Sequence, residues 1–198
     1  KADGSVVTWG RPVWGGDSAA VQHQLLDVRS IRATDFAFAA LTADGSVVAW
    51  GDPRGGDCAA VQHQLTDVGS IHSTDEGAFA ALKADGSVVA WGDPDFGGDS
   101  AAVQHQLFDV RAIHSTRKAF AALKADGSVV AWGDPDRGGD SAAVQHQLTD
   151  VGSIHSTDEG AFAALKAETQ TAEGTAQGCS NSCWGDAGGF SRPAGPPH

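Results

Sequence analysis

The chain has no methionine, no tyrosine and only three cysteines. Cys58 stands alone, while Cys179 and Cys183 lie close together near the end. Thiols so placed are no disulfide framework, and they fit a reducing compartment. Basic side chains are also scarce. Against 25 Asp and Glu there are 13 Lys and Arg, a formal net charge of -12. Binding to a phosphate backbone needs a basic surface, so this balance argues against DNA, RNA and anionic lipid as partners. No apolar run approaches the ~20 residues needed to span a bilayer, and no secretory signal stands at the N-terminus. An intracellular protein, cytoplasmic or nuclear, is the expectation. The chain starts at Lys1 rather than Met, as expected of a piece of a longer product.

Repetition dominates what remains. Trp-Gly recurs at 9–10, 50–51, 91–92 and 132–133, in steps of 41 residues. Ala-Asp-Gly-Ser precedes each of them, at 2–5, 43–46, 84–87 and 125–128. Residues 59–84 and 142–167 are identical over 26 positions. One residue is missing between Trp50 and Asp57, and Gly77 restores it. Gly160 is the matching insertion in the fourth unit. Units one and three share Leu-x-Asp-Val-Arg, and units two and four share Leu-Thr-Asp-Val-Gly. The array therefore reads as a duplicated pair of units over residues 1–167. Beyond Ala167 the pattern fails, and 168–198, rich in Gly and Pro, is expected to be a mostly disordered tail.

Within one unit, Ser87-Val88-Val89-Ala90-Trp91 is a short β-branched and aromatic run, a strand by composition and length. Ala78 to Leu82 precedes it across an Asp-Gly link, the signature of a tight hairpin. Upstream, Asp67 to Thr74 alternates apolar and polar residues around Val68 and Ile71 and reads as a third strand. The connecting segment starts as a Gly/Pro loop and ends in Val-Gln-His-Gln-Leu, which suits one helical turn capped by Asp99 or Ser100. A helical solenoid is rejected, because the Ala-rich runs are short and an Asp-Gly turn separates the two strongest apolar runs.

Three strands per unit make a sheet too small to bury its own faces, so neighbouring sheets must stack. The expected fold is all-β: a β-propeller, or an open propeller arc, of about four three-stranded blades. Its core should hold Trp50, Trp91 and Trp132 with Phe79, Phe120 and Phe162. Ser5–Gly10 reads as the last strand of a blade whose earlier strands are missing. Val151–Ala167 supplies the first two strands of a blade whose last is missing. The arc, with these two halves apart, is preferred to a closed four-bladed ring.

The pattern Val-x-x-Ile … Ala-Leu-x-x-Asp-Gly-x-Val-x-x-Trp-Gly … Gly-Gly resembles the regulator-of-chromosome-condensation repeat, in register in four units over residues 1–167. The short unit is similar to that of a bacterial β-lactamase inhibitor in the same superfamily. The resemblance implies a propeller, usually of seven blades, that binds proteins. The implied role is a non-catalytic interaction scaffold, a fragment of a larger protein of that superfamily. Alternatives drawn from the superfamily are the substrate- or GTPase-binding part of a HERC-type ubiquitin ligase or nucleotide exchange factor, and a protein inhibitor of an enzyme.

Several motifs invite chemistry and are better read as structure. Gly-Asp-Ser at 16–18, 98–100 and 139–141 has the sequence of trypsin-like nucleophile loops. A nucleophile is unique and needs a matched base, whereas this loop is repeated. Asp93, Asp95 and Asp99 alternate in a Gly-rich loop but lack the calcium-hand spacing, and Asp at turns bonds its own backbone. Equivalent His residues (His72, His114, His155) fall in adjacent blades rather than around one ion. No catalytic residue, metal or cofactor is assigned. What stands out is contrast between otherwise identical units. Trp14, Arg54, Phe96 and Arg137 occupy one loop position. Leu26, Thr66, Phe108 and Thr149 follow each Gln-Leu. Trp, Arg and Phe are interface residue types. The expectation is that Trp14, Arg54, Phe96 and Arg137, with Leu26 and Phe108, contact a protein partner.

Overall fold

Asp-Gly turns organise the strands in the computed structural model, which describes residues 4–167. In each complete unit a left-handed Gly (Gly45, Gly86, Gly127; φ +80° to +83°) lets the chain reverse. The Asp before it accepts the backbone N–H two residues on, as Asp85 does from Ser87 at 2.9 Å. These turns join β2 (Ala37–Thr42) to β3 (Val47–Gly51), β5 (Ala78–Lys83) to β6 (Val88–Gly92), and β8 (Ala119–Lys124) to β9 (Val129–Gly133). First strands β1 (Val28–Ala33), β4 (Val68–Ser73) and β7 (Val110–Ser115) pair on the other side of β2, β5 and β8. The result is three antiparallel three-stranded sheets and a fourth, two-stranded sheet of β10 (Val151–Ser156) and β11 (Phe162–Lys166).

Each first strand opens the same way. An Asp adopts the left-handed region (Asp27, Asp67, Asp109, Asp150; φ +51° to +57°), a conformation that Asp tolerates better than most residues. A register shift one residue later bulges the strand at Arg29, Gly69, Arg111 or Gly152. First strands of neighbouring sheets approach one another, so they line the inner side of the stack. The sheets are thus blades of an open propeller arc, as the repeat predicts. In each complete blade a Phe of the middle strand stacks on the Trp opposite it, with ring centroids 5.1–5.3 Å apart in Phe38–Trp50, Phe79–Trp91 and Phe120–Trp132.

Three repeated bonds fasten each blade to the one before it. The turn Gly of one blade accepts from the first Val of the next: Val68 N to Gly45 O, Val110 N to Gly86 O and Val151 N to Gly127 O, all at 2.9 Å. The first Gln of Gln-His-Gln reaches back to a third-strand carbonyl, as Gln62 does to Val47 O at 3.1 Å and Gln104 to Val88 O at 3.0 Å. Finally, each indole N–H donates to a loop glycine: Trp50 to Gly15, Trp91 to Gly55 and Trp132 to Gly97, at 3.0–3.2 Å. The loop glycine sits so close to the Phe ring that a Cβ on Gly97 would lie 2.7 Å from Phe120 Cδ2.

The structure departs from the sequence expectations in three places. Phe162 is only half-buried, because among the described residues β11 has no third strand carrying a Trp to cover it. The Trp stands twelve residues after the Phe in each complete blade, and the matching position here is Gly174. The connecting segment forms two short turns, all 3-10 except the α-helical turn Pro53–Gly56, rather than one capped helical turn. Asp93 caps the first through Asp95 N, and no side chain caps the second, at Gln104–Gln106. Residues 6–10 occupy a third-strand position but are not paired as a strand. Gln22 reaches Val6 O at 3.2 Å and Val28 N reaches Gly4 O at 3.0 Å, the same fasteners used between complete blades. This segment and the β10–β11 sheet are separate, which gives an arc rather than a ring. The proposed tail, 168–198, lies outside the described residues.

Candidate protein-binding rim

Antiparallel strands give the blades two ends. One end carries the Asp-Gly turns. The other carries the loops that leave β3, β6 and β9, together with the bends between first and second strands. Trp14, Arg54, Phe96 and Arg137 all lie at the loop end in short turns opened by Pro, Arg54 at the second position and the others at the third. Leu26 and Phe108 precede the first strands and therefore lie at the Asp-Gly end, 63% and 53% exposed. The six candidates fall on two opposite ends, and four of them share one.

At the loop end the side chains are in contact. The Arg11 guanidinium lies 4.1 Å from the Trp14 ring centroid. Trp14 meets Phe36 edge-on at 5.7 Å, and the Arg54 guanidinium lies 5.1 Å from the Phe36 ring centroid. Arg54 also bonds Asp52 at 3.0 Å, and this bond holds the Asp52 carboxyl below its usual range. Cation, two aromatics and cation thus form one run across two blades. Further along, Lys118 Nζ stands 4.8 Å from the Phe96 ring. Arg137 donates to Glu159 O at 2.8 Å and to its carboxylate at 3.3 Å. Trp14 remains 41% exposed, and the Arg54 and Arg137 side chains 55% and 41%.

These contacts explain the variation among units. Trp14 and Phe96 face bends carrying Phe36 and Lys118. Arg54 and Arg137 belong to the units whose bends carry the inserted Gly77 and Gly160. Arg137 packs over Gly160 so closely that a Cβ there would meet its Cδ at 2.8 Å. The sequence reading singled out the loop residues but missed their partners Arg11, Phe36 and Lys118. A comparison of bends as well as loops would have found the covariation. Beneath the rim, the bends are linked by backbone bonds: Asp35 N to Asp75 O, Asp75 N to Arg117 O and Arg117 N to Asp158 O, at 2.7–3.1 Å.

The motifs set aside as structural have definite places. Ser18, Ser100 and Ser141 of Gly-Asp-Ser donate to the Gln four residues on at 2.8 Å, and Cys58 does the same at 3.0 Å. They hold the Gln amides that fasten the blades. Asp17, Asp57, Asp99 and Asp140 each accept the backbone N–H two residues on, at 2.8–2.9 Å. On the inner face Arg32, His72, His114 and His155 hold equivalent positions in successive first strands. Burial, then Arg32 and His114, push His72 down to about 4. Burial and then His155 lower His114.

Sheets of three strands, repeated at 41 residues and stacked with first strands inward, define an open β-propeller arc. No protein-family model matches the chain, and no curated protein matches it. Among solved structures it is similar to Prp20p of Saccharomyces cerevisiae, a yeast RCC1. The identity is 19% over 56% of this chain and 31% of that one, with a TM-score of 0.40. It is similar to human WBSCR16 at 22% over 54% and 33%, with a TM-score of 0.39. The ectodomain of the Physcomitrella patens receptor kinase CR4 matches at 18% over 66% and 34%, with a TM-score of 0.41. The chain spans about a third of the length of each of these. No helix among the described residues is long and apolar enough to cross a membrane.

Proposed function

We propose that the array is a non-catalytic scaffold that binds a protein along its loop rim, through Trp14, Arg54, Phe96 and Arg137. The observation that carries this reading is the run Arg11–Trp14–Phe36–Arg54, an exposed Trp, a half-buried Phe and two guanidinium groups in contact on one edge. Trp and Arg dominate the energetics of protein interfaces. Here neighbouring blades already hold the side chains in place, so little rotamer entropy remains to be lost on binding. The four positions recur on a repeated frame, where recognition surfaces of repeat proteins lie.

The test begins with a partner captured by the full-length chain and then purified. Replacing Trp14, Arg54, Phe96 and Arg137 together by Ser should abolish binding while the circular dichroism spectrum stays unchanged. A second variant, Leu26→Ser with Phe108→Ser, alters the opposite end and should bind normally. Loss of binding in the second variant alone would move the site to the Asp-Gly end.

A further inference from the structure

The two ends of the arc are exposed in a complementary way, and the complete blades show what covers them. At the N-terminal end Trp9 is 84% exposed, where Trp50, Trp91 and Trp132 are 4–5%. Val7 is 58% exposed against 6–7% for Val48, Val89 and Val130, and Ile31 is 41% against 2–4% for Ile71, Ile113 and Ile154. In complete blades the Trp and Val are covered by the first two strands of their own blade, and the Ile by the middle strand of the blade in front. At the other end Leu165 is 63% exposed, against 4% and 3% for Leu41 and Leu123. Ala163 and Ala164 are exposed where Ala80, Ala81, Ala121 and Ala122 are buried. In complete blades these are covered by a third strand of sequence Ser-Val-Val-Ala-Trp-Gly. Residues 5–10 are Ser-Val-Val-Thr-Trp-Gly.

From this we infer that Val6–Gly10 of one copy completes the β10–β11 blade of a second copy of the chain. The register follows from β5 and β6, in which Phe79 pairs with Trp91, Ala81 with Val89 and Leu82 with Val88. By the same pairing, Phe162 takes Trp9, Ala164 takes Val7 and Leu165 takes Val6 of the other copy. The Trp9 indole then stacks on Phe162 and donates to Gly138 O, as Trp132 does to Gly97. Its place is open. A cavity of about 130 Å³ lies between Gly138, Val144, Leu148 and Phe162. In the donor copy, a groove of about 370 Å³ beside Val7, Trp9, Ile31 and Phe38 receives the acceptor blade.

Residues 168–174, Glu-Thr-Gln-Thr-Ala-Glu-Gly, carry neither Asp-Gly nor Trp and so lack the sequence of this strand. The interface is head-to-tail, and such interfaces form rings when their rotation closes. Each copy contributes three complete blades and two halves. Two copies joined at both ends make eight blades, within the range of closed propellers.

The experiment uses the 198-residue chain. Light scattering during gel filtration should report twice the 20.2 kDa chain mass. Trp9→Ser changes a residue that its own chain leaves exposed, so the fold should survive by circular dichroism. Self-association should weaken by about 100-fold or more, as expected for loss of a buried interface Trp. Val7→Cys with Ala164→Cys, in a Cys58→Ser, Cys179→Ser, Cys183→Ser background, should oxidise to a covalent dimer. A monomer at all concentrations overturns the inference. So does a bond formed within one chain, which would mean that the arc closes on its own first strand.

Discussion

Phe79 and Trp91 lie face to face across β5 and β6, 5.2 Å apart and 15° from parallel, and the Trp91 indole is tied to Gly55 of the preceding loop at 3.2 Å. One ring pair therefore links two strands of a blade to the segment that brought the chain from the blade before. Both residues are almost wholly buried. Trp91→Ala should lower stability by ~3–5 kcal/mol, the range for emptying a buried aromatic site. Trp91→Phe keeps a ring against Phe79 but loses the bond to Gly55, and should cost less. Urea unfolding followed by circular dichroism measures both, and an unchanged midpoint for Trp91→Ala would refute the strand pairing.

Gln104 is bonded at both ends of its amide, to Val88 O at 3.0 Å and to the Ser100 hydroxyl at 2.8 Å. Gln104→Ala should cost about 1 kcal/mol, the net value of a partly exposed hydrogen bond and its neighbour. Ser100→Ala should cost less, since it frees the amide to reorient without breaking the bond between blades. Thermal unfolding of the two single variants and the double variant tests the order. Because the residues share one network, the two costs should not add.

Stability should fall on mild acidification because of the inner face. An unfolded His binds a proton near 6.5, whereas folded His72 does so only at about 4. Between those values the unfolded chain holds the extra proton, so stability is complete above pH 6.5 and declines as pH falls toward 4. His114 contributes in the same direction. Urea midpoints at pH 7.5, 6 and 5 should decrease in that order. His72→Gln should flatten the trend. An equal slope in that variant would place the titrating group elsewhere.

Cys58 replaces the Ser of the other units, and burial pushes its thiol up. In a Cys179→Ser, Cys183→Ser background it should react with a disulfide reagent at pH 8 many-fold more slowly when folded than in urea, since thiolate and access are both required. Cys58→Ser should leave stability unchanged or raise it by up to about 1 kcal/mol, because a hydroxyl bonds Gln62 better than a thiol does. Rapid labelling of the native protein would show that the loop opens.

The strands were legible because Asp-Gly and Trp-Gly mark both ends of the hairpin at every repeat, and only a hairpin satisfies an alternating run bounded by such turns. The fasteners were less so. Gln62 sits in a polar Gln-His-Gln triplet whose His draws attention, and nothing local shows that its amide spans to Val47. Phe162 was misread because burial belongs to a pair of strands, and the position twelve residues on, which holds the Trp in the complete blades, is Gly174. At the rim, the contrast among units identified Trp14, Arg54, Phe96 and Arg137. Their separation from Leu26 and Phe108 follows only from strand direction. The partnership of Trp14 with Phe36 needed the bend to be compared alongside the loop.

Each loop meets the bend of the blade that it leads into: Trp14 with Phe36, Phe96 with Lys118, Arg137 with Gly160. Much of what distinguishes one copy from the next is therefore settled inside a single stretch of loop plus blade, while Arg54 also reaches back to Phe36 of the blade before. The joints to either side rest on backbone groups, Gln, Trp and Gly that all copies share, to which Arg32, Arg111 and the Arg117–Glu76 pair add contacts of particular copies. A gene encoding this array could lose or gain one such stretch and keep the shared backbone and Gln bonds between blades. The number of blades is in that sense a free variable, and the order of side chains along the rim can be shuffled like cards of equal size.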